Sequence, residues 1–374
     1  MSTVLKIEHS ANSIEVKIEE FTIRSYHILD FEMTYSIESV VPFGYILIAD
    51  AINMSAQSFQ DGDKKLTITV KDVNKKTYKA EFKIINGYQV RLDSKNPAIK
   101  LELMEEQSLK LSNLFWGKGY KQSTIQNVLT EIITKIKGDK TLDFTAPTPL
   151  QNFAIPANKP FTQTIEYFRQ KYKLYIFRTK KKFICKDMNT ILGSGIGPYK
   201  LGNGGYVIQP GNDFYYNGIK DISIQNTNRR KINNALPVSK THILDYLKKE
   251  IKLFDYSFEK AKGEIATPGG GSGVAKIPPG DFEKVLVRDS YTEKTTKAYH
   301  FNIMQDLNSV QIVVSSNVDL EVGQIVEMEI TPGGYFNKKE PEKFYKGKWL
   351  IHTLTEKLMG MNPIQKLTLI KPKM

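Results

Sequence analysis

DLEVGQIVEMEI, residues 319–330, places a glycine turn directly before an alternating strand. After an insertion spanning 333–347 come KWLIHTLTEKL (348–358) and QKLTLIKP (365–372). Apolar and polar residues alternate with the period of two that marks a half-buried strand. The same sequence of events occurs early in the chain. QDGDKKLTITV (60–70) sets a glycine turn before an alternating strand, and a second strand follows around Phe82, as one follows around Trp349. Each run then closes on an alternating strand, Ile99-Lys100-Leu101-Glu102-Leu103 in one case and Lys366-Leu367-Thr368-Leu369-Ile370 in the other. Two related antiparallel β units, one at each end of the chain, are the reading this supports.

The rest of the first hundred residues agrees with it. Ile14, Val16, Ile18, Phe21 and Ile23 alternate with charged residues, with a slip near Glu20 that predicts a bulge or strand break. Further strands are expected at 28–36, 45–49, 66–70, 77–85 and 98–104, with turns at Gln60-Asp61-Gly62-Asp63 and Asn86-Gly87. Strands this short must close into a barrel or be covered.

The pattern then becomes helical. Ser123 and Gln126 form a capping box ahead of Ile125, Val128, Leu129, Ile132, Ile133 and Ile136, with Lys135 and Lys137 near the end and Gly138 as the stop. Pro160 opens a second helix with Phe161, Ile165, Phe168 and Tyr172 on one face, followed by strands at 174–178 and 183–186 around a Lys180-Lys181 turn. Residues 191–237 read as loops and short strands, for example 206–209 and 222–224. Ser239 caps an expected helix bearing Ile243, Leu247, Ile251 and Phe254, although 251–258 also reads as a strand. ATPGGGSGVAKIPPG (266–280) is a flexible linker by composition. Strands return at 310–315, 324–330, 348–355 and 365–370. The expected fold class is α+β and mostly β. A first tube-like β-barrel domain covers 1–105 and an α+β middle domain 106–190. A second barrel covers 191–237 with 286–374, and a helix-plus-linker excursion covers 238–285.

The bulk numbers fit a multi-domain globular chain: 374 residues, 40% hydrophobic and 25% charged, with a net charge of +13. Residues 106–190 hold fifteen basic and six acidic side chains, whereas 1–105 hold thirteen and fifteen. A basic middle segment attracts nucleic acid or an anionic surface. Few aromatics interleave with its lysines in sequence, and Lys180, Lys181 and Lys182 read as a solvated hairpin face. The single cysteine, Cys185, excludes a disulfide within the chain. The polar start and the short apolar run at 40–49 predict neither a secretory signal nor a membrane span.

No motif for catalysis or cofactor binding emerges. The glycines at 193, 195 and 197, at 202, 204 and 205, and at 269–273 lack dinucleotide spacing, and there is no phosphate loop or serine elbow. His9, His27, His242, His300 and His352 are scattered over different expected elements. Cys185 beside Ile184 reads as a small buried hydrophobe. Glu19-Glu20 and Glu105-Glu106 read as solvated faces rather than a glycosidase pair. No catalytic, cofactor-binding or metal-binding residue is assigned.

With this order of domains, the chain resembles the baseplate hub proteins of contractile tails: the T-even phage hub, Mu-like hubs, late control protein D and the hub portion of VgrG spikes. Val322-Gly323 match the family's aliphatic-glycine turn, and Trp349 matches the aromatic that begins its next strand. Where the family often has a histidine, this chain has Thr355. The resemblance implies a non-enzymatic structural protein of the virion tail baseplate, assembled in the host cytoplasm and needing no cofactor. It implies a homotrimer whose six barrels form a pseudo-six-fold ring between the hexameric tail tube protein and a trimeric central spike. With nothing appended after Met374, the spike is expected to be a separate protein. Tape measure protein and baseplate wedge or other hub proteins are the further implied partners, with DNA met only in transit and without sequence preference. Two other readings stay open: a six-fold distal-tail or tube-completion adaptor, and a carbohydrate-binding or hydrolytic β-protein.

Overall fold

A computed structural model of the chain describes residues 13–19, 21–23, 25–49, 64–72, 76–91, 97–136, 141–145, 148–172, 174–202, 216–224, 240–245, 250–255, 283–287, 309–329, 346–360 and 362–371. The first run of strands is β1 (Ser13–Ile18), β2 (Phe21–Ile23), β3 (Ile28–Ser36), β4 (Phe43–Ala49), β5 (Lys65–Lys71), β6 (Thr77–Arg91) and β7 (Pro97–Glu105). The slip near Glu20 is a reversal of direction: Glu19 has φ 51° and β1 folds back on β2 with Ile18 opposite Phe21. The carboxylate of Glu19 accepts the Lys65 amide at 2.7 Å, which holds the turn against β5. Asn86-Gly87 is not a turn. β7 offers ladder partners from Phe82↔Glu105 to Arg91↔Pro97, so β6 continues through the dipeptide with only a register shift between Ile84 and Asn86. Pairing of the whole strand outweighs local turn chemistry here.

The middle of the chain supplies α1 (Glu106–Ser112), β8 (Lys118–Thr124), α2 (Ile125–Lys135), β9 (Thr141–Phe144), β10 (Pro149–Ile155), α3 (Phe161–Tyr172), β11 (Leu174–Arg178), β12 (Lys182–Asp187) and α4 (Met188–Gly193). The capping residue of α2 is Thr124, whose hydroxyl accepts the Asn127 amide at 3.1 Å, and not Ser123. Ser123 is held extended in β8 opposite Leu150, so the cap moves one residue along. Ile125, Val128, Leu129 and Ile132 pack with Phe161, Ile165 and Phe168 in a core of their own. The β11–β12 hairpin is apolar on both faces because it lies between two cores. Ile176 joins the middle core, and its neighbour Phe177 joins the large β core.

The last run is β13 (Ile196–Gly202), β14 (Tyr216–Ile224), β15 (Lys240–Asp245), β16 (Glu250–Asp255), β17 (Glu283–Val287), β18 (Ser309–Ser315), β19 (Ile325–Glu329), β20 (Gly347–Met359) and β21 (Asn362–Ile370). The helix expected after Ser239 is a β-hairpin: β15 pairs with β16 from Lys240↔Asp255 to Asp245↔Glu250, and β17 joins in parallel. Ile243 and Ile251 fit either period, and the strand alternation over 250–255 decides between them. The 60–63 turn, the 206–209 strand, the 266–280 linker and most of the 333–347 insertion lie outside the described residues.

One thirteen-stranded sheet joins both ends of the chain, in the order β19-β13-β14-β18-β21-β20-β3-β4-β7-β6-β5-β1-β2. The fold is α+β and mostly β, as the sequence predicts, and the sheet adds two features: the two runs of strands pair with each other, and β13 runs parallel to its neighbours. β20 pairs with β3 across the two runs, and β13 is parallel to both β14 and β19. β19 also pairs with β20, so hydrogen bonding in the second run returns to its start.

Within this sheet the chain repeats itself. The order β5-β6-β7-β4-β3 in the first run is matched by β19-β20-β21-β18-β14 in the second, every pair antiparallel in both. The irregularities match too. β3 shifts register between Ile28 and Asp30, and β14 between Ile219 and Asp221. β6 shifts between Ile84 and Asn86, and β20 between Ile351 and Thr353. Aligned on these bulges, buried Phe82 and Ile84 fall on buried Trp349 and Ile351, and Leu101 and Leu103 fall on Leu367 and Leu369. Two coincident bulges in one strand order are a stronger sign of duplication than the sequence alone carries.

Candidate functional site

Among the described residues, the tip of the β11–β12 hairpin, where the middle module meets both β runs, holds two buried ion pairs. β11 ends on Arg178, and the turn places Lys180 two residues on. Thr179 accepts the amides of Lys181 and Lys182 through its hydroxyl, at 3.1 and 2.9 Å, and so fixes the turn. Arg178 is 2% exposed. Its guanidinium meets Glu105 at 2.5 Å and donates to Ser108 at 2.6 Å and Gln107 at 3.0 Å, all at the β7–α1 junction of the first run. Lys180, also buried, forms an ion pair with Glu356 of β20 in the second run. Glu356 in turn accepts from Gln365 at 3.0 Å, and Gln365 donates to the Asn317 carbonyl at 2.8 Å. Two adjacent cations thus bind carboxylates from the two β runs.

Two tyrosines complete the cluster. Tyr35 donates to Glu105 at 3.4 Å, and the Lys180 ammonium stands 5.3 Å from the centre of the Tyr78 ring. Burial first, and then the neighbouring Tyr78 and Glu105, push the Tyr35 hydroxyl well above the ordinary phenol range. Tyr78 is pushed up chiefly by burial and next by Glu105. Both stay protonated at neutral pH, and Glu105 and Glu356 each face a cation. The cluster therefore presents neither an unpaired carboxylate base nor a phenolate, and its chemistry is cohesive. A cleft of about 410 Å³, lined by Tyr78, Glu105, Gln107, Lys110, Arg178 and Lys180 among others, opens beside it.

This corrects two sequence readings. Lys180 is buried rather than solvated, while exposed Lys181 and Lys182 lie 3.7 Å from Asp319 and Asp143. Of the pair Glu105-Glu106, Glu105 is the buried partner of Arg178, whereas Glu106 pairs with Lys110 at 2.9 Å near the surface. These partners leave no local pattern, since Arg178 and Glu105 are seventy-three positions apart. An arginine ending an otherwise apolar LYIFR strand was the one available signal.

The remaining singled-out residues are dispersed. His352 lies in β20 with Nε2 3.5 Å from Glu38, the His27 ring lies tilted against Tyr26, and His242 is in β15. His9, His300 and Glu20 lie outside the described residues. Cys185 is fully buried in the middle core, and burial pushes its thiol up to about 12. No three potential metal ligands converge among the described residues, and no described helix is long and apolar enough to cross a membrane. Gly323, at φ +82°, packs against Phe177, and Trp349 is completely buried, with the Lys371 ammonium 5.2 Å from its ring centre.

No protein-family model matches the chain, and no curated protein sequence matches it. Solved structures do match over nearly the whole length. A tail protein from Neisseria meningitidis is 10% identical, with a TM-score of 0.63 and 96% of each chain covered. The 43 kDa tail protein of prophage MuSo2 from Shewanella oneidensis is 8% identical, with a TM-score of 0.62 and coverage of 96% of this chain and 97% of that one. A type VI secretion component from Escherichia coli, described as similar to the T4 phage tail proteins gp27 and gp5, is 9% identical with a TM-score of 0.54. It covers 95% of this chain, which spans 76% of that one. From β1 to β21, this chain has the fold shared by phage tail proteins and their secretion-system counterparts.

Proposed function

We propose that the chain is the structural baseplate hub of a contractile tail, a trimer that joins the hexameric tail tube to a trimeric central spike and lines the delivery channel. The observation that carries this reading is the internal repeat. One chain holds two five-stranded units of the same order, with the same two bulges, joined where β3 pairs with β20. Three such chains present six like units, which matches a six-fold tube above and a three-fold spike below. On this reading 1–105 and 191–237 with 286–374 are the two tube-like units. Residues 106–190 form the module wedged between them, and 238–285 an excursion. The full-length likeness to tail proteins supports the same assignment.

The role is mechanical. Arg178 and Lys180 tie one module to both β runs through buried ion pairs. Partner removal in such pairs costs far more than exposed pairs give, so the two units are held at a fixed angle while load passes along the tail. The tube protein, a separate spike, the tape measure and other baseplate proteins are the partners this role requires, and DNA would be met only in transit. The deciding experiment is the mass and image of the complex purified with its spike. Three copies in a ring support the hub. A ring of six identical copies would make the chain a tube-completion or distal-tail adaptor instead.

A further inference from the structure

The internal repeat leaves one contact without its counterpart. Within the chain, β3 of the first unit pairs with β20 of the second through Glu32↔Lys357, Met33↔Glu356 and Thr34↔Thr355. The equivalent strands are β14 in the second unit and β6 in the first. They cannot meet in one chain, because β18, β21, β20, β3, β4 and β7 stand between them in the sheet. Yet each has the edge such a pairing needs. β5 leaves β6 after Lys83, so among the described residues 86–91 pair with β7 alone. β13 touches β14 only over Tyr216–Gly218, so among the described residues 219–224 pair with β18 alone.

We propose that residues 86–91 of β6 receive β14 of a second copy as an added antiparallel strand, in the register that the repeat dictates. The bulges fix that register. Lys357 lies five residues beyond the bulge at 352, as Val90 does beyond the bulge at 85. Glu32 lies three residues beyond the bulge at 29, as Ser223 does beyond the bulge at 220. The pairing Glu32↔Lys357 therefore translates into Ser223↔Val90, and Met33↔Glu356 into Ile224↔Gln89. The occupant is a second copy because the repeat-equivalent strands, β3 and β20, already make this pairing once within the chain. An open edge also invites strand addition of this kind. The contact is head-to-tail, so each copy offers one donor strand and one acceptor edge, and a rotation that closes after a whole number of copies builds a ring. The number of copies in that ring rests on the hub reading; the pairing itself does not.

Cysteine cross-linking tests it. Val90→Cys and Ser223→Cys face each other across the proposed ladder, within the Cα separation a disulfide tolerates. Native Cys185 is buried and stays out of the reaction. Under a mild oxidant the double variant, assembled with its spike, is expected to give a reducible ladder that ends at three linked copies. Each single variant gives none. Moving one cysteine a single position, with Arg91→Cys in place of Val90→Cys, turns the side chain to the other face and abolishes the link. Trimers by mass that fail to cross-link at 90 and 223 would overturn the pairing and leave the hub reading standing. Cross-linking that runs on to six copies would keep the pairing and remove the trimer. A disulfide formed within one chain would overturn the proposal directly.

Discussion

Gly323 abuts the tip of the Phe177 ring: a Cβ built on the glycine would stand 2.7 Å from Cζ of that ring, at a backbone φ of +82°. The turn before β19 is therefore moulded on the hairpin of the middle module. Gly323→Ala meets both a steric clash and a left-handed backbone, and is expected to destabilise the fold by about 2–4 kcal/mol. Phe177→Leu in the same chain should return part of that loss by removing the ring. Urea titration of the two single variants and the double variant checks both statements. Equal, additive losses would separate the residues energetically.

Arg178 and Glu105 should behave as a coupled buried pair. Either Arg178→Met or Glu105→Gln leaves the other member's charge uncompensated in the interior and is expected to cost about 3–5 kcal/mol. The double variant should lose clearly less than the sum, because no charge is then stranded. Exposed Lys110, paired with Glu106 at 2.9 Å, serves as the control. Lys110→Ala should change stability by less than about 1 kcal/mol. A double-mutant cycle with no coupling would show that this ion pair does not tie the module to the first run.

Much of this architecture was legible in the sequence, and the failures have physical causes. Strands with one buried face, such as β3 and β5, were bounded within a residue or two because alternation reports burial directly. Phe82 and Trp349 were matched as second strands, and they are the residues that the bulges align. Over the 240–255 hairpin, Ile243, Leu247, Ile251 and Phe254 recur every three or four residues and predict a helix, while 251–258 also alternates as a strand; the strand reading wins at β16. Lys180 was read as solvated because a charge run carries no trace of a distant glutamate, and Glu356 is one hundred and seventy-six residues away. The β3–β20 junction was equally invisible, since pairing partners leave no local pattern.

Cys185 should be chemically silent in the native state. Burial pushes its thiol up to about 12, so almost no thiolate exists near pH 8. Alkylation by a thiol reagent is expected to be slow when folded and immediate in denaturant. The sign of the pH effect follows from the raised value. Below the ordinary thiol range both states hold the proton and the thiol contributes no pH dependence. Above about pH 8.5 the unfolded chain releases it while the folded chain does not, so stability falls as pH rises toward 12. Cys185→Ala should flatten that part of the profile, and an unchanged slope would assign it to other groups.

Binding of random DNA should be weak and should not depend on the hairpin tip. The middle module is basic, so some salt-sensitive attraction to a polyanion is expected. The tip is nevertheless a poor source of it. Lys180 is buried against Glu356, and Lys181 and Lys182 have Asp319 and Asp143 at 3.7 Å. A phosphate would have to compete with carboxylates already in place, and releasing those pairs offsets the gain. Lys181→Ala with Lys182→Ala is therefore expected to change affinity for a random duplex by less than about twofold at physiological salt, and to leave the salt slope nearly unchanged. Titration across a range of ionic strengths reads both quantities. A loss of two counterions' worth of slope in the double variant would mean that these lysines face the nucleic acid after all, and that the aspartates only hold them in its absence.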